Sequence, residues 1–245
     1  MRDELIEQIV NARAKTKVGS SLADKEPHVR IGLLLDAESF VEYGPLAGRT
    51  SKVDDPITAD GLVGGVGTIA GAPIVVACYD PNLLGGQQSD RNQRKLAKLL
   101  YLSVEHRWPF VCFADGKGAR SDDPFPGPPI AVTPRGRFDL LDGLAELNGW
   151  APTVSIVGGA CHDGHAAIAM LTDFTVAVEQ ASFQAHGGPA VSAADYARQG
   201  DIDLVVDNEI EAIGVARSYL EFYLSTESES FNPSSNSREI AELIP

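Results

Sequence analysis

The chain has 245 residues, of which 44% are hydrophobic and 22% charged, a balance typical of one compact α/β domain with its own core. Its formal net charge of -14 at pH 7 argues against nucleic-acid binding as the main activity, because such binding depends on clustered Lys and Arg. No apolar stretch approaches the ~20 residues of a bilayer span, and Met1–Val10 lacks an apolar signal core, so we expect a cytoplasmic protein without membrane contact.

The cysteines favour a reducing compartment. Cys78, Cys112 and Cys161 lie in or beside apolar runs, and their spacing matches neither a disulfide framework nor a zinc site. Because the protein as a whole is acidic, an anionic ligand requires a local basic patch.

The sequence divides into three parts. Residues 1–29 are predicted to form an amphipathic helix, Arg2 to Thr16, followed by a polar linker. The domain proper is expected over residues 30–225 and begins with a short helix at Arg30–Asp36. Residues 226–245 are polar, with too few apolar side chains to pack, and are predicted to be a tail.

The middle of the chain predicts a hairpin, a helix and a buried strand. Across residues 60–80, two apolar runs flank Ala70-Gly71, where glycine supplies the positive φ of a tight turn. Asp90 to Glu105 places Leu96, Leu99, Leu100 and Val104 on one helical face, and the helix must end before Pro109. Phe110–Ala114 is the strand that follows.

Strand and helix then continue to alternate, as in an α/β fold. Strands are predicted at 153–157, 174–178 and 204–206, and helices at 137–148, 164–171 and 209–224. The last helix is expected to direct these side chains toward the core: Ile210, Ile213, Ala216, Leu220 and Tyr223.

Two buried strands lead into glycine-rich turns, Phe113–Arg120 and Val157–His165. Backbone N–H groups exposed at such turns attract negative charge, and two adjacent turns can hold one carbonyl oxygen as it becomes an oxyanion. Alternatively, the glycines only let the chain turn tightly at strand ends. The turns alone leave both interpretations open.

A basic cluster precedes these turns. Arg91, Arg94, Lys95 and Lys98 recur at helical spacing after Gly85-Gly86. The cluster is suited to the phosphate groups of a ligand, although a charge run of this kind also forms ordinary solvated helix faces.

Cys161, His162, Asp163 and His165 are residue types that bind metals or form Cys/His nucleophilic pairs. Neighbouring residues on a turn point in different directions, and a metal needs ligands from elsewhere. His186 is the most plausible distant ligand, but it is more typical of a surface loop. We therefore predict no metal site.

The motifs together resemble the β subunits of acetyl-CoA and propionyl-CoA carboxylases. The resemblance extends over about Arg30 to Leu224 and rests on motifs in the same order. They are Arg30–Glu42, Asp60–Gly71, Leu84-Gly-Gly86 with Lys95 and Lys98, Asp115–Arg120, and Leu171–Val176.

The resemblance implies a ClpP/crotonase-like α/β fold, a spiral of ββα units in one domain, whose backbone N–H groups hold a coenzyme A thioester enolate. In the family a second, related domain receives carboxybiotin, and catalysis needs no side-chain base. This chain resembles only the acyl-CoA-binding half. We therefore expect an oligomer with a separate carboxyl-terminal-domain-like carboxyltransferase subunit and a biotin carrier.

The resemblance also assigns candidate residues. Those expected at the reacting thioester are Lys117, Gly118, His162, Asp163 and Gly164, with the N–H groups around Gly118 and Asp163 holding the oxygen. Those expected to bind coenzyme A are Gly85, Gly86, Arg94, Lys95, Lys98 and Arg120.

The chain departs from the family pattern in both loops. The family's Ser-Gly-Gly is replaced by Gly116-Lys117-Gly118, and its Ala-Gly-Gly by His162-Asp163-Gly164. The leading hypothesis is an acyl-CoA carboxyltransferase subunit. The alternatives are a biotin-independent decarboxylase of a malonyl-type thioester, with His162 as proton donor, and a catalytically silent partner subunit.

Overall fold

The computed structural model describes residues 26–45, 58–120, 140–185 and 187–224. The predicted helix at Arg2 to Thr16, the predicted linker up to residue 25, the tail at 226–245 and His186 lie outside the described residues. The end of the predicted linker is described, and a helix begins there at Pro27, earlier than the predicted Arg30. The domain boundaries drawn from the sequence therefore stay predictions.

The described chain alternates short strands with helices. The helices are α1 (Pro27–Leu34), α2 (Asp90–His106), α3 (Leu140–Leu147), α4 (Gly164–Leu171), α5 (Ala193–Gln199) and α6 (Glu209–Leu224), with 3-10 turns at Thr58–Gly61 and Leu84–Gly86. The strands are β1 (Val41–Glu42), β2 (Leu62–Ile69), β3 (Ala72–Tyr79), β4 (Phe110–Phe113), β5 (Gly116–Lys117), β6 (Thr153–Val157), β7 (Ala160–His162), β8 (Phe174–Val178), β9 (Ser182–Gln184), β10 (Val191–Ser192) and β11 (Leu204–Val206).

The strands form two sheets. The larger has the order β1-β2-β3-β4-β6-β8-β11, and the smaller has the order β10-β9-β7-β5. Along the chain, β4 and β6 of the large sheet are each followed by one strand of the small sheet and then by a helix, and β8 is followed by two, β9 and β10, before α5. This repeated ββα spiral confirms the predicted crotonase-like fold.

The β2–β3 hairpin shows why the predicted turn forms. Ile69 pairs with Ala72, which leaves Ala70 and Gly71 as a two-residue turn with φ angles of 50° and 78°. Positive φ at both positions matches the right-handed twist of the flanking strands, and this is the turn type that Gly favours. The hairpin carries β2 and β3 into the large sheet.

Helix α2 packs on the sheet and positions the basic cluster. Ser89 and Asn92 form a capping box at its amino terminus, and Arg107 ends it in the left-handed conformation. Leu96, Leu99 and other apolar residues of one face are buried in the core. Burying one such side chain stabilises the fold by roughly 1.5–3 kcal/mol, so the helix is held firmly against the sheet.

Two expectations about elements are corrected. Helix α6 buries Ala212, Ile213, Ala216 and Leu220, whereas Ile210 and Tyr223 are 60% and 55% exposed. The predicted core-facing side of this helix therefore included two residues, Ile210 and Tyr223, that are exposed. The short strands β1, β5, β7, β9 and β10 were not predicted, because two or three residues show little of an alternating pattern. Helix α5, of seven residues, was also not predicted.

Candidate active site at the paired glycine loops

The two glycine-rich turns lie side by side. We call residues 115–120 the first loop and residues 158–165 the second loop. Strand β5 of the first loop pairs in parallel with β7 of the second, placing Gly116 opposite Cys161 and Lys117 opposite His162. Because side chains at paired positions of a sheet project to the same face, Lys117 and His162 are neighbours.

Lys117 and His162 have different environments. Lys117 is exposed, and its stem covers Gly85, where an added Cβ would lie 3.3 Å from Lys117 Cδ. His162 is half-buried, with Nε2 3.2 Å from Ser182 Oγ. Partial burial lowers the pKa of His162, Asp163 opposes that shift, and Lys117 adds to it. The imidazole is therefore mainly neutral near pH 7.

Asp163 departs from the predicted geometry. Its backbone N–H donates to the Gln184 carbonyl oxygen at 2.7 Å, so it is not free to hold a thioester oxygen as expected from the sequence. Its φ of 53° and ψ of -114° are angles that favour glycine. Its carboxylate lies against Gly118, where an added Cβ would lie 2.2 Å from Asp163 Oδ2. The carboxylate, rather than the N–H group, faces the first loop.

Gln88 connects the two loops, and nothing in the sequence indicated this role. Its backbone N–H donates to the Gly118 carbonyl at 2.8 Å, and its carbonyl accepts from the Arg120 N–H at 2.7 Å. Its side-chain oxygen lies against Gly164, where an added Cβ would be only 2.2 Å away. Glycine at position 164 therefore lets the start of α4 pack against the side chain of Gln88, whose backbone is bonded to the first loop.

Gly86 and His165 set the spacing beneath the loops. Gly86 has a φ of 69°, and an added Cβ would lie 2.4 Å from the Asp115 carbonyl oxygen. His165 is fully buried and contacts Tyr79 edge-to-face, with 4.4 Å between ring centroids. Its Nε2 would lie 2.1 Å from a Cβ on Gly116. Burial lowers the pKa of His165 to about 4, so the ring is neutral.

Buried ion pairs hold both loops from below. Arg30 pairs with Asp115 and with Glu209. The other Asp115 oxygen accepts a 2.8 Å hydrogen bond from the Gly158 N–H, so this carboxylate joins the first loop to the second. An isolated Arg or Asp in a sequence carries no pattern that would predict such a role.

Arg120 does not occupy the position predicted for it. Its Nη1 lies 2.8 Å from Asp60 Oδ1, and both side chains are 2% exposed. Ser89 Oγ donates to the other Asp60 oxygen. Because its guanidinium is buried and paired, Arg120 anchors the end of the first loop and does not face a phosphate.

The basic residues of α2 separate into two kinds. Lys95 is 8% exposed and donates from Nζ to the Leu62 carbonyl at 2.6 Å. Burial lowers the pKa of Lys95 to about 8, although Glu42 and Asp60 act in the opposite direction. Arg94 and Lys98 are exposed, and Arg94 also pairs with Asp90 at 2.8 Å.

The basic cluster lines a cleft beside α2. The cleft has a volume of about 550 Å³ and combines cationic and apolar side chains. Its lining residues are Tyr43, Gly44, Arg91, Arg94, Lys95, Lys98, Leu99, Tyr101 and Leu102. The cationic side chains therefore border a concave surface that can accept a ligand.

The described residues offer neither a metal site nor a membrane-spanning helix. Within ranges 26–45, 58–120, 140–185 and 187–224, no group of three or more His, Cys, Asp and Glu is arranged to hold a metal ion. Cys161 is buried as a free thiol. None of the helices in those ranges has the length and apolar character that crossing a bilayer requires.

The fold and the paired loops define the class of protein as a crotonase-like α/β domain. The carboxyl transferase domain family matches residues 24–242, and the chain belongs to that family. The β4 subunit of the biotin-dependent long-chain acyl-coenzyme A carboxylase of Mycobacterium tuberculosis is 32% identical over 209 residues, covering 79% of this chain and 38% of that protein. The 12S subunit of methylmalonyl-CoA carboxyltransferase from Propionibacterium freudenreichii is 28% identical, covering 88% of this chain and 45% of that protein.

Solved structures agree with the sequence relatives. A single-chain, multi-domain long-chain acyl-CoA carboxylase superimposes with a TM-score of 0.74 at 30% identity, covering 89% of this chain and 25% of that one. A chain of a Pseudomonas malonate decarboxylase hetero-tetramer shares the fold, with a TM-score of 0.67 at 19% identity, covering 80% of this chain and 81% of that one. The chain thus spans less than half the length of the curated relatives described above.

Proposed function

We propose that this chain is the acyl-CoA-binding subunit of a carboxyltransferase, which transfers a carboxyl group between carboxybiotin and an acyl-CoA together with a separate partner chain. The observation that supports this most is the parallel pairing of β5 with β7, which joins two glycine loops in a member of the carboxyl transferase family. A thioester carbonyl placed there meets the backbone N–H groups at the start of α4, where the helix dipole favours negative charge.

Coenzyme A would bind along α2. The exposed cations Arg94 and Lys98 line the cleft and are suited to its phosphate groups, since charge-assisted hydrogen bonds to phosphate need accessible donors. Lys95 also lines the cleft, but its Nζ is already bonded to a backbone carbonyl. Gly85 and Gly86 lie at the turn preceding α2, where the Lys117 stem covers Gly85 and the Asp115 carbonyl oxygen lies against Gly86, so these glycines bring the turn close to the first loop.

The partner chains follow from the relatives. Proteins similar to this chain are β subunits of biotin-dependent carboxylases, and this chain matches less than half of each. We propose an oligomer in which a second chain resembles the carboxyl-terminal half of those relatives and a biotin carrier delivers the carboxyl group. Biotin bound to the carrier would supply the carboxyl group, and this chain would hold and orient the acyl-CoA.

A carboxyl-transfer assay tests this function. The protein is isolated with its bound chains, supplied with carboxylated biotin carrier and propionyl-CoA, and the carboxylated thioester is measured. Transfer that requires both the carrier and this chain supports the proposal. No transfer in the complete assembly, although propionyl-CoA binds, would contradict it.

The side chains in the loops favour a second candidate, a biotin-independent decarboxylase of a malonyl-type thioester. His162 lies beside Lys117 on the paired strands, and a ring N–H of its neutral imidazole could be donated to an enolate. In this case malonyl-CoA would lose carbon dioxide without biotin, and His162→Ala would lower turnover by ~10² or more while affinity for the thioester is kept. Unchanged turnover in His162→Ala would exclude His162 as the donor.

A further inference from the structure

Three ionisable side chains surround the point where the paired loops meet. Lys117 and His162 occupy paired positions on β5 and β7, and Asp163 follows directly. The family pattern that the sequence resembles implies small residues at these places, whereas this chain carries a cation, an imidazole and a carboxylate there.

Asp163 is held there in an unusual way. Its backbone takes φ and ψ angles of 53° and -114°, which a residue with a Cβ rarely adopts. The hydrogen bond from its backbone N–H to the Gln184 carbonyl holds this conformation, in which the carboxylate lies against Gly118. A strained backbone that holds a carboxylate against the first loop points to a functional role, because such strain persists only where surrounding structure enforces it.

We propose that Asp163 is a general base that removes the α-proton of the bound acyl thioester without biotin. This inference rests on the proposed function, because it requires the loops to bind an acyl-CoA. The carboxylate oxygen would take the proton from the α-carbon. The electron pair of the C–H bond would become the double bond of an enolate, whose negative charge would reside on the thioester oxygen. The reverse step returns a proton from Asp163 to the α-carbon, so the reaction needs no oxidant, reductant or second substrate.

Lys117 completes the arrangement. Lys117 is exposed, it directly precedes Gly118, and its stem lies over Gly85. A cation at this position stabilises the enolate oxygen and compensates for the nearby Asp163 carboxylate. His162 lies opposite Lys117 on the paired strand, and its Nε2 contacts Ser182 Oγ. The site would therefore take acyl thioesters that carry a proton on the α-carbon.

Solvent exchange of that proton tests the proposal. Propionyl-CoA is incubated in D2O with the protein and its bound chains, without biotin or bicarbonate, and deuterium at the α-carbon is followed by NMR. We expect exchange faster than in buffer alone. Asp163→Asn and Asp163→Gly should each lower the exchange rate by ~10² or more. Asp201→Asn, which changes an exposed aspartate between α5 and β11, should leave it unaltered.

The glycine variant keeps the test decisive. Glycine tolerates the backbone angles at position 163, so Asp163→Gly should fold without the strain. If it exchanges as fast as the unmodified protein, or faster, the carboxylate is not a base and the proposal is overturned. Calorimetric measurement of propionyl-CoA binding separates failure of the Asp163 proposal from failure of the proposed function. Binding of propionyl-CoA without exchange overturns the role of Asp163 alone, whereas absence of binding overturns the proposed function and this inference together.

Discussion

His165 shows at the scale of one residue how the loops are spaced. The ring lies beneath Gly116 and beside Tyr79, and it is buried from solvent on every side. A charged imidazole cannot be accommodated there without loss of stability, because burial penalises the protonated form. The neutral ring is therefore part of the architecture of the first loop.

This burial predicts a dependence of stability on pH. Burial lowers the pKa of His165 to about 4 in the folded protein, whereas the unfolded chain retains about 6.5. The unfolded state then binds the proton more readily than the folded state. The stabilisation of the fold by the neutral His165 ring is therefore fully present above pH 6.5 and is lost as the pH falls toward 4. Because of this group, we expect the free energy of unfolding to be about 3 kcal/mol lower at pH 4 and below than above pH 6.5. In urea unfolding between pH 7 and pH 4, the free energy of unfolding should fall less steeply with pH for His165→Gln than for the unmodified protein. Equal pH dependence in the two proteins would contradict this role of His165.

The pairing of Arg120 with Asp60 predicts a structural variant. Arg120→Met leaves the Asp60 carboxylate buried without its cation, and we expect a loss of about 3–5 kcal/mol in the free energy of unfolding. Adding Asp60→Asn removes the buried charge and should restore part of that loss. If Arg120→Met unfolds like the unmodified protein but binds coenzyme A weakly, the original assignment of Arg120 to the ligand would be correct after all.

For the exposed cations of α2 we predict an effect on ligand binding and little effect on stability. Arg94→Ala with Lys98→Ala should change stability little but weaken coenzyme A binding roughly tenfold, since each exposed charge pair contributes about 1 kcal/mol at most. Binding should also become less sensitive to salt. Arg198→Ala on α5, which changes a side chain that is 76% exposed, serves as the control. Equal affinity in the double variant and the control would make this surface an ordinary solvated helix face.

At the scale of elements, the approach of Gly86 to the first loop gives a matched comparison. Gly86→Ala adds a Cβ 2.4 Å from the Asp115 carbonyl at a φ of 69°, whereas Gly71→Ala adds one at a φ of 78° with nothing within 4 Å. Both variants incur backbone strain of about 1 kcal/mol, but only Gly86→Ala also displaces the loop. Denaturant unfolding should show the larger loss for Gly86→Ala. Equal losses would mean that the close approach carries no energetic weight.

The long elements were predictable from the sequence, and the site was predictable only in part. Strands β6 and β8 and helices α4 and α6 have the predicted bounds because each carries enough apolar residues to show its period. The pairing of β5 with β7 is a contact between segments distant in the chain, which no local pattern encodes. The same is true of the Asp163 N–H, whose partner Gln184 belongs to another strand.

At the scale of the whole molecule, the ββα spiral brings loops from successive units to one place. Asp115 illustrates this organisation, since its carboxylate binds Arg30 from α1 and the Gly158 N–H of the second loop. The relatives place such a domain within a longer protein, of which this chain matches less than half. Under the proposed function, this domain acts together with a region like the part of those relatives that it does not match.

The composition of the native assembly tests this central claim most directly. The tagged protein is isolated gently from its own cells, and every chain that remains bound is identified by mass. We predict a partner resembling the carboxyl-terminal half of the carboxylase β subunits, together with a biotinylated chain. A homo-oligomer that contains neither, and that decarboxylates malonyl-CoA without biotin, would contradict the carboxyltransferase assignment.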